Sequence, residues 1–246
     1  MLTLVVPVYN EEFRWNYEYW SSLLQSGQVK ILFVNDGSTD GTGAILRGFV
    51  RTNLNSLVIN LRVNSGKSEA IRAGFRVAIE DKSELIGFLD ADGAFEIQEV
   101  QSVIAQFNQG YFELNSLDAV WSSRVKLLGS NIVRDDSRHY IGRIIHTVIG
   151  LWIKELPYDS QAGFKIFKSS PELCSAVSRP FKTRWFVDLE LLIRLRTLKR
   201  DLSIIEFPIQ NWRDISGSKI RLTSFFVVIL DLVKLFSVRK NFSPTL

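Results

Sequence analysis

The strongest constraint on the fold is a rhythm. Through the first two-fifths of the chain, short apolar runs alternate with segments of helical spacing. "LTLVVPVY" (2–9), "VKILFVND" (29–36), "SLVINLR" (56–62) and "LIGFLD" (85–90) read as strands. Between and after them, residues 12–25, 41–51, 68–80 and 96–108 carry apolar side chains at helical intervals. Strands separated by helices of this length predict βαβ units and a parallel sheet. Runs such as "ILFV" lack strict alternation, as expected of strands covered on both faces.

After residue 118 the rhythm changes. Residues 118–124 predict a strand, 125–139 a charged loop and 140–153 a helix. A short strand follows at 163–167, then a helix at 187–199, a strand at 202–209 and an amphipathic helix at 221–238. No linker interrupts the chain. The expectation is one α/β domain over 1–246, a mainly parallel sheet flanked by helices. Its parts are a nucleotide-binding half (1–117), an acceptor-side half (118–220) and the terminal helix (221–238).

Composition narrows the chemistry. A single cysteine, Cys174, excludes an internal disulfide framework, and with only two histidines a Cys/His zinc site is not expected. Any metal would need oxygen ligands. "MLTLVVPVYNEE" has no basic leader region, so it does not read as a signal peptide. No apolar run approaches the roughly 18–20 residues of a membrane span. The net charge of +4 suits contact with phosphates or anionic lipid, and no nucleic-acid partner is expected.

In open α/β sheets ligands bind beyond the carboxyl ends of the strands. The residues there are Pro7 to Glu12, Asn35 to Gly41, Asn64 to Lys67 and Asp90 to Gly93. Three of these loops are acidic, and carboxylates gathered at one edge repel one another unless a cation joins them. A hard divalent ion held by one or two carboxylates and a nucleotide's phosphates answers that need, which points to Mg²⁺ or Mn²⁺. Asp90 and Asp92 lie two apart and would point the same way from a strand end. The plain alternative is a solvated turn, since Asp-Gly is common there. "SGKS" (65–68) fails the full P-loop pattern, which needs glycine where Leu61 stands. Gly66 and Lys67 still offer a close backbone approach and a cation at a helix N-terminus.

Taken in order, "VVPVYNEE", "VNDGSTDGT", "NSGKSEAIRAGF" and "FLDADG" resemble the signatures of glycosyltransferase family 2, which has the GT-A fold. "DSQAGFKIF" (159–167), "RWFVDLELL" (184–192) and "NWRDISGSKI" (211–220) resemble its polyprenyl-phosphate sugar transferases, of the dolichyl-phosphate glucosyltransferase and mannose synthase type. The resemblance spans residues 3–221. It implies a nucleotide-sugar donor (UDP- or GDP-linked), an acceptor that is polyprenyl phosphate or a saccharide, and inversion. By the same resemblance Pro7, Tyr9, Glu11 and Asp36 line the nucleoside pocket, and Gly66 and Lys67 lie near the base or diphosphate. Asp90 and Asp92 would hold nucleotide and metal, Arg124 and Lys219 would neutralise phosphate, and Asp159 and Gln161 would face the sugar. Two positions depart from the relatives: Ser68 replaces the usual glycine, and Ala94 stands where mannose synthases carry a polar residue. The second departure favours the glucosyltransferase-like branch, or else leaves the metal one protein ligand poorer.

The acceptor decides whether a base is needed. A hydroxyl must lose a proton, and Asp188 is the candidate base. A lipid phosphate is already an anion, so cations such as Lys219 matter more. Asp188 and Glu190 equally suit the first turn of a helix, where carboxylates favour the macrodipole. Arg194, Arg196, Lys199 and Arg200 read as a solvated helix face. The terminal helix either packs on the sheet or lies in a membrane interface, helped by Lys234, Arg239 and Lys240. A cytoplasmic protein, peripheral on the cytoplasmic face of a membrane, is the expectation. A non-catalytic nucleotide-sugar-binding module is the remaining alternative.

Overall fold

The computed structural model describes residues 1–108, 117–133, 147, 149–151, 153, 156–213 and 230–238. The predicted alternation is present. Strands β1 (Leu2–Val8), β2 (Val29–Asn35), β3 (Ser56–Asn60) and β4 (Leu85–Leu89) alternate with helices α1 (Tyr17–Gln25), α2 (Thr42–Thr52), α3 (Lys67–Glu80) and α4 (Ile97–Asn108). Strands β5 (Ala119–Ser123), β6 (Asn131–Val133) and β7 (Phe164–Lys168) follow, then helices α5 (Pro171–Ser178) and α6 (Val187–Leu198). Strands β8 (Ile204–Pro208) and β9 (Asn211–Arg213) and a helical segment at 230–238 complete the described chain.

One seven-stranded sheet runs in the order β3-β2-β1-β4-β7-β5-β8. Its pairs are parallel except at β7, which runs antiparallel to both β4 and β5. Strands β2, β1 and β4 are therefore adjacent and parallel, so the loops that follow them open on one edge. Two apolar cores explain the unbroken apolar runs. On one face Val6, Phe33 and Ile166 pack with Trp20, Phe49 and Val103; on the other, Val5, Leu32 and Phe167 pack with Phe75, Leu173 and Leu191.

Several boundaries differ from expectation, each for a local reason. Helix α1 starts at Tyr17 rather than 12, because the Asn16 side chain caps it by accepting from the Tyr19 amide. Trp15 instead turns inward, its ring 5.3 Å from Phe33. Helix α5 was not anticipated, although its Ser170 cap and Pro171 are a readable start signal. Strands β6 and β9 are three residues each, pair with one another in a separate small sheet with one further bridge from Trp212 to Phe95, and are too short to show a period. Most of the helix expected at 140–153, and the first part of that expected at 221–238, lie outside the described residues.

The described part of the terminal helix packs rather than floats. Leu235 and Val238 are buried against Phe186, Leu189 and Ile193 of the α6 region, while Leu230 and Val233 stay exposed.

Candidate active site

The cleft lies beyond the ends of β1, β2 and β4. At its centre Lys67, the first residue of α3, sets its ammonium 2.5 Å from Asp90 Oδ1 and 5.5 Å from the centre of the Phe88 ring. Burial alone would lower the Lys67 pKa. The carboxylates of Asp90, Asp188 and Asp92 more than offset it, so the ammonium titrates above its usual value. Asp92 accepts from the Ala94 amide at 3.1 Å, the predicted turn, yet it also belongs to the charge cluster. Burial first, and the neighbouring Asp90 second, push its pKa up.

The loop that leads into α3 is held by Asp36. Both carboxylate oxygens of this buried residue are used, accepting from the Ser65 amide at 2.7 Å and the Gly66 amide at 2.8 Å. Burial raises the Asp36 pKa, and those two amides and the Arg184 guanidinium work against the rise. Gly66 has φ +94, and a side chain there would also crowd Arg184. Pro7 sits within β1, and Tyr9 is half-buried just beyond that strand. Glu11 is buried and paired with Arg14, its amide donating to Thr42 Oγ1 at 2.8 Å. Its Oε2 has no hydrogen-bond partner among the described residues.

Asp90 is fixed by the antiparallel strand beside it. Its amide donates to the Gly163 carbonyl at 2.9 Å, and a Cβ on Gly163 would overlap Asp90 Oδ2. Gly163→Ala is therefore expected to displace the Asp90 carboxylate and weaken nucleotide binding by ~10-fold or more, from a shift of about 1 Å in a site group. Titration of the variant with a nucleoside diphosphate checks this; unchanged affinity would show that the loop gives way elsewhere.

The back half brings further charges. Arg124 makes a bidentate pair with Asp159, Nε to Oδ2 at 2.7 Å and Nη2 to Oδ1 at 2.8 Å, and lies over the Trp212 ring. Its charge is thus matched by Asp159, a partner that spacing did not disclose. Asp188 lies in the first turn of α6, yet it does more than favour the macrodipole. It is paired with the fully buried ammonium of Lys165, and Gln161 Nε2 reaches its other oxygen at 3.5 Å. Lys165 also donates to the Ala162 carbonyl at 2.6 Å. Burial lowers the Lys165 pKa, Asp188 opposes that, and nearby Lys67 adds to it. The signal missed was a lysine inside an apolar strand, "GFKIF". Lys219 lies outside the described residues.

Glu190 and Arg194 are structural. Glu190 accepts from the amides of Lys182 and Thr183 and the Thr183 hydroxyl, and Arg194 reaches it at 2.7 Å. The Arg194 guanidinium also donates to the carbonyls of Ala176, Arg179 and Pro180. The solvated reading of Arg194 is corrected: it is 3% exposed, because its carbonyl partners sit on the inner side of α6. Lys199 is also engaged, with Asp118 at 2.8 Å.

Asp90, Asp92, Asp159 and Asp188 thus share one electrostatic neighbourhood with Lys67, Lys165 and Arg124. Burial and the neighbouring Asp90 both disfavour the charge on Asp92, so added positive charge would be favoured there. Among the described residues no group of three Asp, Glu, His or Cys side chains is placed to hold a metal. A bound divalent ion would therefore complete its shell with oxygens of a phosphate ligand and water, the usual habit of Mg²⁺.

Comparison with known proteins bears on family and fold. The model of the family described as glycosyl transferase family 2 matches residues 3–153. A dolichyl-phosphate beta-glucosyltransferase of Trichomonas vaginalis is 32% identical over 244 residues, which cover 95% of this chain and 72% of that protein. The dolichyl-phosphate beta-glucosyltransferase of Homo sapiens is 29% identical over 238 residues, covering 89% and 69%. Among solved structures, a mannosyltransferase of Pyrobaculum calidifontis with GDP-Man and Mn²⁺ has TM-score 0.63 at 16% identity; the match covers 99% of this chain and 65% of that one. Glucosyl-3-phosphoglycerate synthase of Mycobacterium tuberculosis, with Mn²⁺ and UDP-glucose, has TM-score 0.61 at 18% identity, covering 96% and 78%. The structural matches establish a GT-A fold.

Proposed function

The chain belongs to glycosyl transferase family 2, and from that premise we propose that it moves a sugar from a nucleotide-sugar to polyprenyl phosphate, with inversion and with Mg²⁺ or Mn²⁺. The observation that carries the donor half is the Lys67–Asp90 pair beside Asp92, at the mouth of a cleft made by adjacent parallel strands. A divalent ion, when bound, supplies positive charge to the leaving diphosphate. Asp90 and Asp92 would hold it, and the fit rests on the mutual repulsion of these two carboxylates. Lys67 lies close enough to exchange its carboxylate partner for a diphosphate oxygen. The acceptor phosphate oxygen would form its bond to the anomeric carbon as the bond from that carbon to the diphosphate breaks. The nucleoside diphosphate leaves.

The acceptor half rests on two supports. The curated relatives that match nearly all of this chain are named for dolichyl phosphate. Asp188, the one candidate base, is already engaged by the Lys165 ammonium, which suits an acceptor that has no proton to give up. Arg124 and Lys219 are the cations proposed to offset the lipid phosphate. Glu11, with its unpartnered Oε2, and Pro7, Tyr9 and Asp36 are proposed around the nucleoside, and Gln161 on the sugar side.

Among the described residues no helix is long and apolar enough to cross a membrane. A peripheral contact on the cytoplasmic face, made through the terminal helix with its exposed Leu230 and Val233, is proposed as the route to a lipid acceptor. A donor screen tests the whole reading: UDP- and GDP-sugars, with Mg²⁺ or Mn²⁺, with and without polyprenyl phosphate in detergent. Transfer only when the lipid phosphate is present is the expected result. Transfer to saccharides instead would leave the family standing and remove the lipid, and no turnover with donor still bound would favour a binding module.

A further inference from the structure

Asp231 is fully buried, yet it belongs to a helical segment whose neighbours Leu230 and Val233 are 59% and 62% exposed. Its Oδ2 accepts from the amides of Arg184 at 2.6 Å and Trp185 at 3.0 Å, and Lys234 Nζ lies 3.3 Å from Oδ1. Arg184 passes the connection on in three ways. Its carbonyl accepts from the Ser68 amide at 3.0 Å, its Nη2 donates to Asn64 Oδ1 at 2.6 Å, and its side chain lies against Gly66. Lys67 stands between these anchored residues.

We infer that Asp231 is a positioning residue for Lys67, tying the terminal helix, through Arg184, to the loop that leads into α3. The inference deepens the donor reading and rests on it for the consequence at the nucleotide. Two residues from outside the loop hold its backbone and its first residue: Asp36 accepts from the amides of Ser65 and Gly66, and Arg184 holds Asn64 and Ser68, beside the Lys67–Asp90 pair itself. Removing the second loosens the residues on either side of Lys67, at the start of α3, and leaves Asp36 and the Asp90 pair to hold it. The helix that carries Asp231 thereby couples its own seating on α6 to the ammonium that faces the donor.

The test combines amide hydrogen exchange with nucleotide titration, on the full chain. In Asp231→Asn the one oxygen that both amides share loses its charge, and the other oxygen becomes an NH₂ group that faces the Lys234 ammonium. Ser68 and its neighbours are expected to exchange ~10-fold faster, because local opening free energy sets the rate. The Kd for UDP or GDP, whichever binds the parent protein, should rise by ~10-fold, the worth of about one charge-assisted bond. Donor KM should rise with kcat within about two-fold, since Asp231 touches no reacting group. Combining Asp231→Asn with Asn64→Ala should cost less affinity than the two losses added, as members of one network do. If Asp231→Asn does not fold, Arg184→Ala tests the second link of the relay, since its backbone keeps the Asp231 contacts while the bond to Asn64 is lost; unchanged exchange at 64–68 then overturns the inference. Faster exchange confined to residues 184–185, with 64–68 unchanged, overturns the inference and leaves a local cap. If neither nucleotide binds the parent protein, the donor reading falls, while exchange at 64–68 still decides the coupling.

Discussion

Asp188→Ala is expected to cost ~3–5 kcal/mol of folding free energy, the usual penalty for leaving one member of a buried ion pair alone. Lys165 is fully buried, and without Asp188 its ammonium keeps, among the described residues, the Ala162 carbonyl, the faces of Phe88 and Trp121 and the more distant charge of Asp159. Urea unfolding measures the loss. A loss under ~1 kcal/mol, the range of exposed pairs, would show that water reaches the pair. The double change Lys165→Met with Asp188→Leu removes both charges and should recover most of the stability. That double variant also separates the two roles proposed for Asp188. If Asp188 serves only the pair, transfer returns along with stability. If it takes a proton from the acceptor, stability returns and transfer stays down by ~10²–10⁴-fold, the worth of a general base. The lipid-phosphate reading expects the first outcome.

The front half of the molecule was legible because its signals are periodic. Strand runs such as "ILFV", with helices between them, leave little choice but a parallel sheet, and the strand tips then collect Asp36, Lys67 and Asp90 at one edge. Pairings across long sequence separations were not legible. Nothing in the spacing tells that Arg124 meets Asp159, that Lys165 meets Asp188, or that Asp231 reaches back to the residue before Trp185. The first two pairs exist because β7 enters the sheet antiparallel between β4 and β5, a placement that local pattern does not encode. Lys165 could have been suspected, since a lysine within an apolar strand must find a carboxylate or lose its charge. Short strands β6 and β9 left no period to read, and Glu99, which accepts from the amides of Gln210 and Asn211, organises that region from another helix.

Asp90→Asn is the second large effect. The change removes the carboxylate that holds Lys67 and half of the proposed metal pair, while the Asp90 amide keeps its bond to Gly163. The fold should therefore survive. Transfer is expected to fall by ~10³-fold, equivalent to about 4 kcal/mol of charge stabilisation in the transition state. The gain in nucleotide affinity from metal should disappear with it. Thermal unfolding beside the transfer assay checks both halves; full transfer by Asp90→Asn would return the Asp90-Ala91-Asp92 stretch to a plain turn.

The central claim is that the Lys67, Asp90 and Asp92 cleft receives a nucleoside diphosphate together with a divalent ion. Calorimetric titration of the parent protein with UDP and with GDP, in Mn²⁺ and again in excess chelator, tests it most directly. Binding of one of the two nucleotides that strengthens by ~10-fold or more in Mn²⁺ is the predicted result, a coupling in the range typical of linked sites. Equal affinity with and without the metal, or no binding of either nucleotide, would contradict it.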